Sequence, residues 1–455
     1  MVRDNRISFL REGEASDGHG KRYVLYWMQA AQRAEWNHAL EFAIERANAL
    51  GLPVVALFCL TRDFPRANAR HYRFMLEGLA ETGGALEKRG VKLVARIGDP
   101  PKIVAGLARH AAYAVTDRGY LRTERGWRLA ASREVRCPFA EVDTNAVVPV
   151  EEASDRVEYA AATFRPRVTK KLEEYMVRVH HRRPRHSSMD MRLRSLDLAD
   201  TDSVMKRLRP SRAAGPVSAY GGGAREARRR LRRFVSRDLA RYHDLARDPA
   251  ADATSHLSAH LHFGQISPLQ IAIEVARHPG PGADAFLEQL IVRRELAINM
   301  CWFDSRYDSY DALPDWARRT LARHARDKRP YIYSIADLEA ARTHDPYWNA
   351  AQTEMAATGR MHSYMRMYWG KKIVEWSRTP QEAYAVALAL NDKYELDGRD
   401  PNGFAGVAWC LGRHDRPWKE RPVFGMVRYM NAGGLERKFD MAAYVERVRR
   451  QVGTE

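Results

Sequence analysis

Short apolar runs alternate with segments of helical periodicity over the first third of the chain. Tyr23 to Met28 (YVLYWM) and Pro53 to Leu60 (PVVALFCL) are unbroken apolar runs of strand length. Val91 to Ile97, Ala112 to Thr116 and Ala140 to Asp143 are further strand candidates. Between them, Ala34 to Leu50 and His71 to Lys88 place apolar residues at the spacing of one helix face. This alternation predicts an α/β domain with a doubly wound parallel sheet. No GxGxxG or Walker loop is present. Gly98-Asp99-Pro100-Pro101 falls where a strand hands over to a helix, the edge at which such sheets bind ligands, and reads as a plain turn.

The pattern changes between Val177 and Gly223. VRVHHRRPRHSS at 177–188 is basic, and Tyr220 to Gly223 is a glycine run, which together predict a solvated linker over 177–223. Residues 224–248 then read as one Arg-studded amphipathic helix, with Leu231, Phe234, Val235, Leu239 and Tyr242 on its apolar stripe. The rest, to Glu455, carries helical patterns and few strand signals. The predicted division is an α/β domain over 1–176, the linker, and an all-α domain over 224–455. A chain of 455 residues suits two cores better than one.

Composition narrows the class. No stretch of about 18 uninterrupted apolar residues occurs, so no membrane span is expected. The first twenty residues lack the apolar core of a signal peptide, so a cytoplasmic protein, monomeric by default, is expected. Cys59, Cys137, Cys301 and Cys410 are scattered without metal-ligand spacing, which predicts reduced thiols and no metal. The net charge of +18 and a pI near 9.8 point to a polyanionic partner, nucleic acid first, with an arginine bias of a high-GC genome as the competing reason.

Four segments of the helical half carry candidate chemistry. Thr254-Ser255-His256-Leu257-Ser258 clusters hydroxyls and backbone N–H groups at a helix start, which suits phosphate and equally suits simple capping. In FLEQLIVRRELAINMCW (286–302), Arg293, Arg294 and Glu295 interrupt an apolar helix, and charges there must be paired, solvated or turned to a polar cavity. Trp369 and Trp376 lie seven residues apart on one helix face, with Arg366 one turn before Trp369; packing is the usual reason for such spacing. Asn391, Asp392, Asp397, Asp400 and Asn402 surround a Gly- and Pro-marked loop fit to clamp a heterocycle or a ribose, or to form an acidic turn. Trp409 and Trp418 follow it. Seven of the ten tryptophans fall in the last 180 residues, a content that suits a planar ligand as well as a core.

Taken together and in order, these segments resemble the photolyase/cryptochrome superfamily, and specifically class II cyclobutane pyrimidine dimer photolyases. The resemblance begins at YWMQAAQRAEWNHAL (26–40) and runs through HFGQIS (262–267), IVRREL (291–296), MHSYMRMYWGKKIVEW (361–376), LNDKYELDGRDPNG (390–403) and RYMN (428–431). It implies an antenna-type α/β domain joined to a helical FAD domain. It also implies light-driven repair of dimers in double-stranded DNA, by electron transfer from reduced FAD to a flipped-out pyrimidine pair. Tyr242 and Thr254, Ser255, His256, Leu257 and Ser258 are implied to hold the FAD pyrophosphate; family members often carry arginine where His256 stands. Arg366 and Asp397 match the pair beside the isoalloxazine, Asn391 the asparagine near flavin N5, and Asp400 a ribityl or adenine contact. Trp369, Trp348 and Trp376 match the proximal, middle and outer tryptophans of an electron path.

Trp409 and Met367 match lesion contacts. Where the family places a dimer-binding glutamate, this chain has Gln289, flanked by Glu288 and Arg293; an amide donates and accepts hydrogen bonds but transfers no proton. A deazaflavin or folate antenna chromophore is left open by the resemblance. The rival readings are a cryptochrome-like photoreceptor without repair activity and a colourless nucleic-acid-binding protein on the same fold.

Overall fold

The structure, a computed structural model, describes residues 2–13, 20–62 and 64–453. Strands β1 (Ile7–Arg11), β2 (Tyr23–Met28), β3 (Val54–Leu60), β4 (Lys92–Ile97), β5 (Ala111–Asp117) and β6 (Phe139–Val142) form one sheet in the order β1-β6-β5-β2-β3-β4. All neighbours run parallel except β1, which pairs antiparallel with β6 at the edge. β2, β5 and β6 are buried along their whole length, the state of strands covered on both faces. Alternation along β2 shows why. Val24, Tyr26 and Met28 face the helices His38–Leu50 and Ala69–Glu87, whereas Tyr23, Leu25 and Trp27 face Pro100–Ala108 and Arg122–Glu134.

Helix boundaries follow caps. The stretch expected to be helical from Ala34 starts at His38 because the Asn37 side chain accepts the Leu40 N–H. Strand order reverses between β2 and β5, where open α/β sheets usually take a ligand. Here the Asp117 carboxylate fills that position, accepting the backbone N–H groups of Gln29, Ala30 and Ala31 at 2.8, 2.6 and 2.8 Å and the Tyr26 hydroxyl at 3.0 Å.

The segment expected to be a solvated linker is partly structural. Ser188 and Leu196 donate backbone N–H groups to Gly90 and Ala95, and the Ser195 hydroxyl accepts from Ala95, so the segment covers the open edge of β4. A helix, Thr201–Leu208, buries Val204 and Leu208 against the α/β core. Beyond Gly223 the described residues are helical apart from turns and one isolated bridge. The helix read over 224–248 is instead broken. It ends at Arg237, and a short turn of helix, Tyr242–Leu245, follows. The break lets the Pro281–Leu287 helix close in: a Cβ on Gly282 would stand 1.8 Å from the Leu239 carbonyl oxygen.

The two halves are locked together at the site described next. Gly264, at φ +63°, backs onto the α/β domain so closely that a Cβ would lie 1.9 Å from the Ala30 carbonyl oxygen. Buried Arg33 reaches from the α/β half to the Gly264 carbonyl at 3.0 Å. The start of the Ala69–Glu87 helix grips two elements of the helical half, the Pro346–Thr358 helix and the C-terminal end of the Pro380–Tyr394 helix. Asn68 donates to the Lys393 carbonyl at 2.8 Å, Arg70 to the Ala356 carbonyl at 2.8 Å, and the His71 ring meets the Glu395 carbonyl at 3.0 Å.

Candidate functional site

The helices Pro346–Thr358, Ser363–Trp376, Pro380–Tyr394 and Pro401–Cys410 converge on the 395–400 loop. Arg366, from the second of them, holds one guanidinium nitrogen 3.3 Å from Asp397 and 3.0 Å from Glu395. Two carboxyl groups thus share one arginine in a buried place. Burial raises the Glu395 pKa to about 8, the Asp397 charge adds to the rise, and Arg366 only partly opposes it. Asn391 is buried on the loop's leading helix and donates to Asp392 at 3.1 Å. Asp400 caps the Pro401–Cys410 helix through the Asn402 N–H at 2.9 Å and meets His262 at 3.2 Å. Burial works against its charge, yet these hydrogen bonds and His262 hold its pKa at about 2.

Trp369 lies one turn beyond Arg366 on the same helix. Its ring stands parallel to that of Trp348, with centroids 6.3 Å apart and planes 7° from parallel; Trp348 in turn meets Trp376 at 5.6 Å and 65°. Trp348 comes from the neighbouring helix and bridges the two tryptophans that share a face. All three are fully buried, so Trp376, expected as the outer member, does not itself reach solvent.

The 254–258 segment lies beside a second polar cluster. The Arg360 guanidinium donates to Thr254 Oγ1 at 2.9 Å and to Asp252 at 2.7 Å. His256, in the left-handed region at φ +55°, contacts Asp252 at 3.3 Å and the Tyr220 hydroxyl at 2.8 Å. Tyr220, Asp252 and His256 line a cleft of about 400 Å³ that also presents Arg229, Arg230 and Arg447. Ser258 is exposed and Leu257 buried, so this stretch offers one side chain outward and anchors the other. Tyr242 is packed edge-on against Phe234 and Phe286, 5.5 and 5.4 Å away, and burial raises its pKa to about 12.

Glu288 to Arg293 form a turn of π-helix, a wider coil that recurs at functional sites. Glu288 is tied to Arg165 at 2.8 Å and to Arg293 at 3.2 Å, while Gln289 beside it is exposed. Of the two candidates for the dimer-contacting position, Gln289 is therefore the side chain at liberty to meet a ligand. Glu295, the last of the charged triplet, turns inward to accept the Val147 and Val148 N–H groups of the α/β half at 2.5 and 3.3 Å. Met367 and Trp409 are both half-buried, on helices drawn together at Gly370, where a Cβ would come within 2.5 Å of Cys410 Sγ.

Two residues escaped the sequence reading as site members, Glu395 and Arg360; Arg294 stood out there only as one of three charges interrupting an apolar helix. Glu395 stands in the quoted YELDG run, but its role depends on an arginine from another helix. Buried N–H groups without a hydrogen-bond partner gather around this loop: Arg294 Nη1, Arg366 Nε and Arg399 Nε. Such atoms are costly unless a ligand or water meets them. A dinucleotide with carbonyl, ring-nitrogen and phosphate groups supplies the matching partners, so the residues present fit FAD. Among the described residues, no cluster of three or more His, Cys, Asp or Glu could hold a metal ion, and no helix is long and apolar enough to cross a membrane.

Comparison with known proteins accords with this geometry. The family model described as DNA photolyase matches residues 24–186. The deoxyribodipyrimidine photo-lyase of Methanothermobacter thermautotrophicus is 48% identical over 99% of both chains, and that of Potorous tridactylus is 37% identical over 93% of this chain and 81% of its own. Among solved structures, a bacterial class III photolyase from Agrobacterium tumefaciens superposes with a TM-score of 0.71 at 19% identity, covering 95% of this chain and 87% of the other. An archaeal photolyase from Sulfolobus tokodaii, solved with two FAD molecules, superposes with a TM-score of 0.72 at 16% identity over 93% and 89%. A cryptochrome from Synechocystis gives 0.70 at 15% over 96% and 87%. These likenesses place the fold, and the relatives that match over almost the whole chain place the sequence: the chain belongs to the DNA photolyase family.

Proposed function

We propose that this protein is a deoxyribodipyrimidine photo-lyase of the class II kind, which uses FAD to split cyclobutane pyrimidine dimers in double-stranded DNA under light. The observation that carries the reading is the buried Arg366, shared by Asp397 and Glu395 and set one helical turn from the stacked Trp369–Trp348 pair. Asp397, Arg366 and Asn391 would hold the isoalloxazine, and Thr254, Ser255, His256, Leu257 and Ser258, with Tyr242 and Asp400, the rest of the dinucleotide. When bound and reduced, FAD supplies the light-excited electron that opens the cyclobutane ring. The residues of the chain position that group, exclude water from it and offset its charge.

Trp409 and Met367 would form the apolar wall against the extruded pyrimidines, and Gln289 would hydrogen-bond their edges. A dimer stacks poorly in duplex DNA and is cheaper to extrude than an intact pair. The basic surface would contact backbone phosphate, which gives salt-sensitive binding without sequence preference. The archaeal neighbour with two FAD molecules supports a second, light-gathering chromophore in the α/β half. A photoreceptor without repair is the second reading, and Gln289 in place of a glutamate favours it. The test is binding in the dark by flavin-loaded protein: dimer-containing duplex should bind more tightly than the same undamaged duplex, and equal affinity would contradict the assignment.

A further inference from the structure

The three tryptophans form a path whose last member is sealed inside the protein. Trp376 is 1% exposed. An electron path that replenishes a buried cofactor must end where a reductant in solution can reach it. Beyond Trp376 the packing continues into a second aromatic group. Tyr333 lies 5.3 Å from the Trp376 ring at 75°, and His344 lies 5.3 Å away at 63°, both as close as Trp348 on the other side. Tyr331, 46% exposed, stacks on His344 at 3.8 Å and 20°. The ladder of rings therefore reaches solvent, through residues that are not tryptophan.

The hydrogen bonding of Tyr333 suits it to a particular task. Its phenol oxygen accepts the His344 backbone N–H at 3.0 Å and lies 2.7 Å from His344 Nδ1, which accepts the phenolic proton when the imidazole carries its own on Nε2. That distance is within reach for direct proton transfer. A phenol gives up an electron readily only if a base takes its proton at the same time. The charged group facing Trp376 acts in the same direction. The Lys372 ammonium sits 5.6 Å over its ring and disfavours a lasting positive charge there, an effect moderated by Glu375, 2.8 Å from that ammonium. Oxidised Tyr333 carries no such charge, because its proton leaves.

We propose that the tryptophan path ends on a proton-coupled tyrosine: Tyr333 reduces oxidised Trp376 and passes its phenolic proton to His344. The inference rests on the reading of Trp369, Trp348 and Trp376 as an electron path. Were Trp369 to lose one electron to a bound, oxidised flavin under light, Trp348 and Trp376 would refill it in turn and leave the positive charge on Trp376. One electron then leaves Tyr333 and restores neutral Trp376. The O–H bond of Tyr333 breaks, an N–H bond forms at His344 Nδ1, and the products are a neutral tyrosyl radical and an imidazolium. A small thiol-class reductant in solution returns the electron, and His344 returns the proton. Tyr331 shields the imidazole face and marks the outlet.

Flash-induced absorption and electron paramagnetic resonance on protein loaded with oxidised flavin test this. The wild type should finish on a neutral tyrosyl radical whose formation slows in deuterated water. Tyr333→Phe should finish on a tryptophan radical that decays severalfold faster by recombination. His344→Phe keeps the phenol, removes its base, and should lose the tyrosyl signal, whereas Tyr331→Phe should retain it. A tyrosyl signal that survives Tyr333→Phe, or a wild type that stops on tryptophan, overturns the proposal. Trp369→Phe separates the two levels. If it leaves radical formation undiminished, the tryptophan path itself is wrong. If it abolishes every radical and the wild type still stops on tryptophan, only the tyrosine terminus is wrong.

Discussion

The indole N–H of Trp348 donates to the backbone carbonyl of Trp369 at 3.0 Å while the two rings lie 7° from parallel. Trp369 donates its own N–H to the Gln352 side chain at 2.9 Å. Both rings are thereby fixed in rotation as well as position, and each is buried without an orphaned donor. Fixed, parallel, closely spaced rings favour electron exchange between them, and the pair starts one helical turn from Arg366.

Trp369→Phe keeps an apolar ring in this place but removes the more easily oxidised indole. Photoreduction of oxidised flavin in the purified variant should be nearly abolished, with the flavin still bound. Steady illumination followed by visible absorbance measures it, and wild-type photoreduction would count against the path.

Trp409→Ala should weaken binding to dimer-containing duplex by about 1–3 kcal/mol, the contribution of one aromatic stack on a base. Affinity for undamaged duplex should hardly move, because those contacts go to phosphate. A titration with both duplexes separates the two, and unchanged lesion affinity would remove Trp409 from the pocket.

Gln289→Glu places a carboxyl on the exposed side of the π-helical turn, beside the Glu288–Arg165–Arg293 group. The expected result is a severalfold gain in dimers repaired per absorbed photon, with flavin content unaltered. A loss of repair would show that the amide is what this pocket requires.

Glu395→Gln tests the shared arginine. The folded-state pKa of Glu395 is raised from the ordinary 4.5 to about 8, so folded protein holds a proton that unfolded chain releases between those values. Its stabilising effect is complete below pH 4.5 and is lost as the pH rises through about 8. Wild type should accordingly lose denaturant resistance relative to Glu395→Gln across that interval. Parallel curves for the two proteins would mean that Glu395 does not hold that proton.

Much of this could be read from the chain because local pattern and fold agree. Val24, Tyr26 and Met28 alternate with Tyr23, Leu25 and Trp27 on a strand covered on both faces, and the parallel strands followed from such runs. β1 was missed because it is a short edge strand with only partial burial. The break after Arg237 was missed because the apolar spacing of Leu231, Phe234, Leu239 and Tyr242 continues through it, while the reason for it, the approach of Gly282 to the Leu239 carbonyl, comes from a distant part of the sequence. In the site, the seven-residue spacing of Trp369 and Trp376 was visible. Trp348 joins them only through tertiary packing, and its place came from family resemblance. Glu395 looked like any acidic loop residue; the grip of His71 on its carbonyl and its share of Arg366 join elements far apart in sequence.

Everything assigned here converges on a light-dependent reaction of a defined substrate. Purified protein carrying reduced flavin should be mixed with an oligonucleotide holding a single cyclobutane thymine dimer, and chromatography should follow the strand under blue light and in the dark. Conversion of the damaged strand to the intact one in light alone supports the photo-lyase assignment. A dimer that stays whole under illumination, with the flavin bound and reduced, contradicts it.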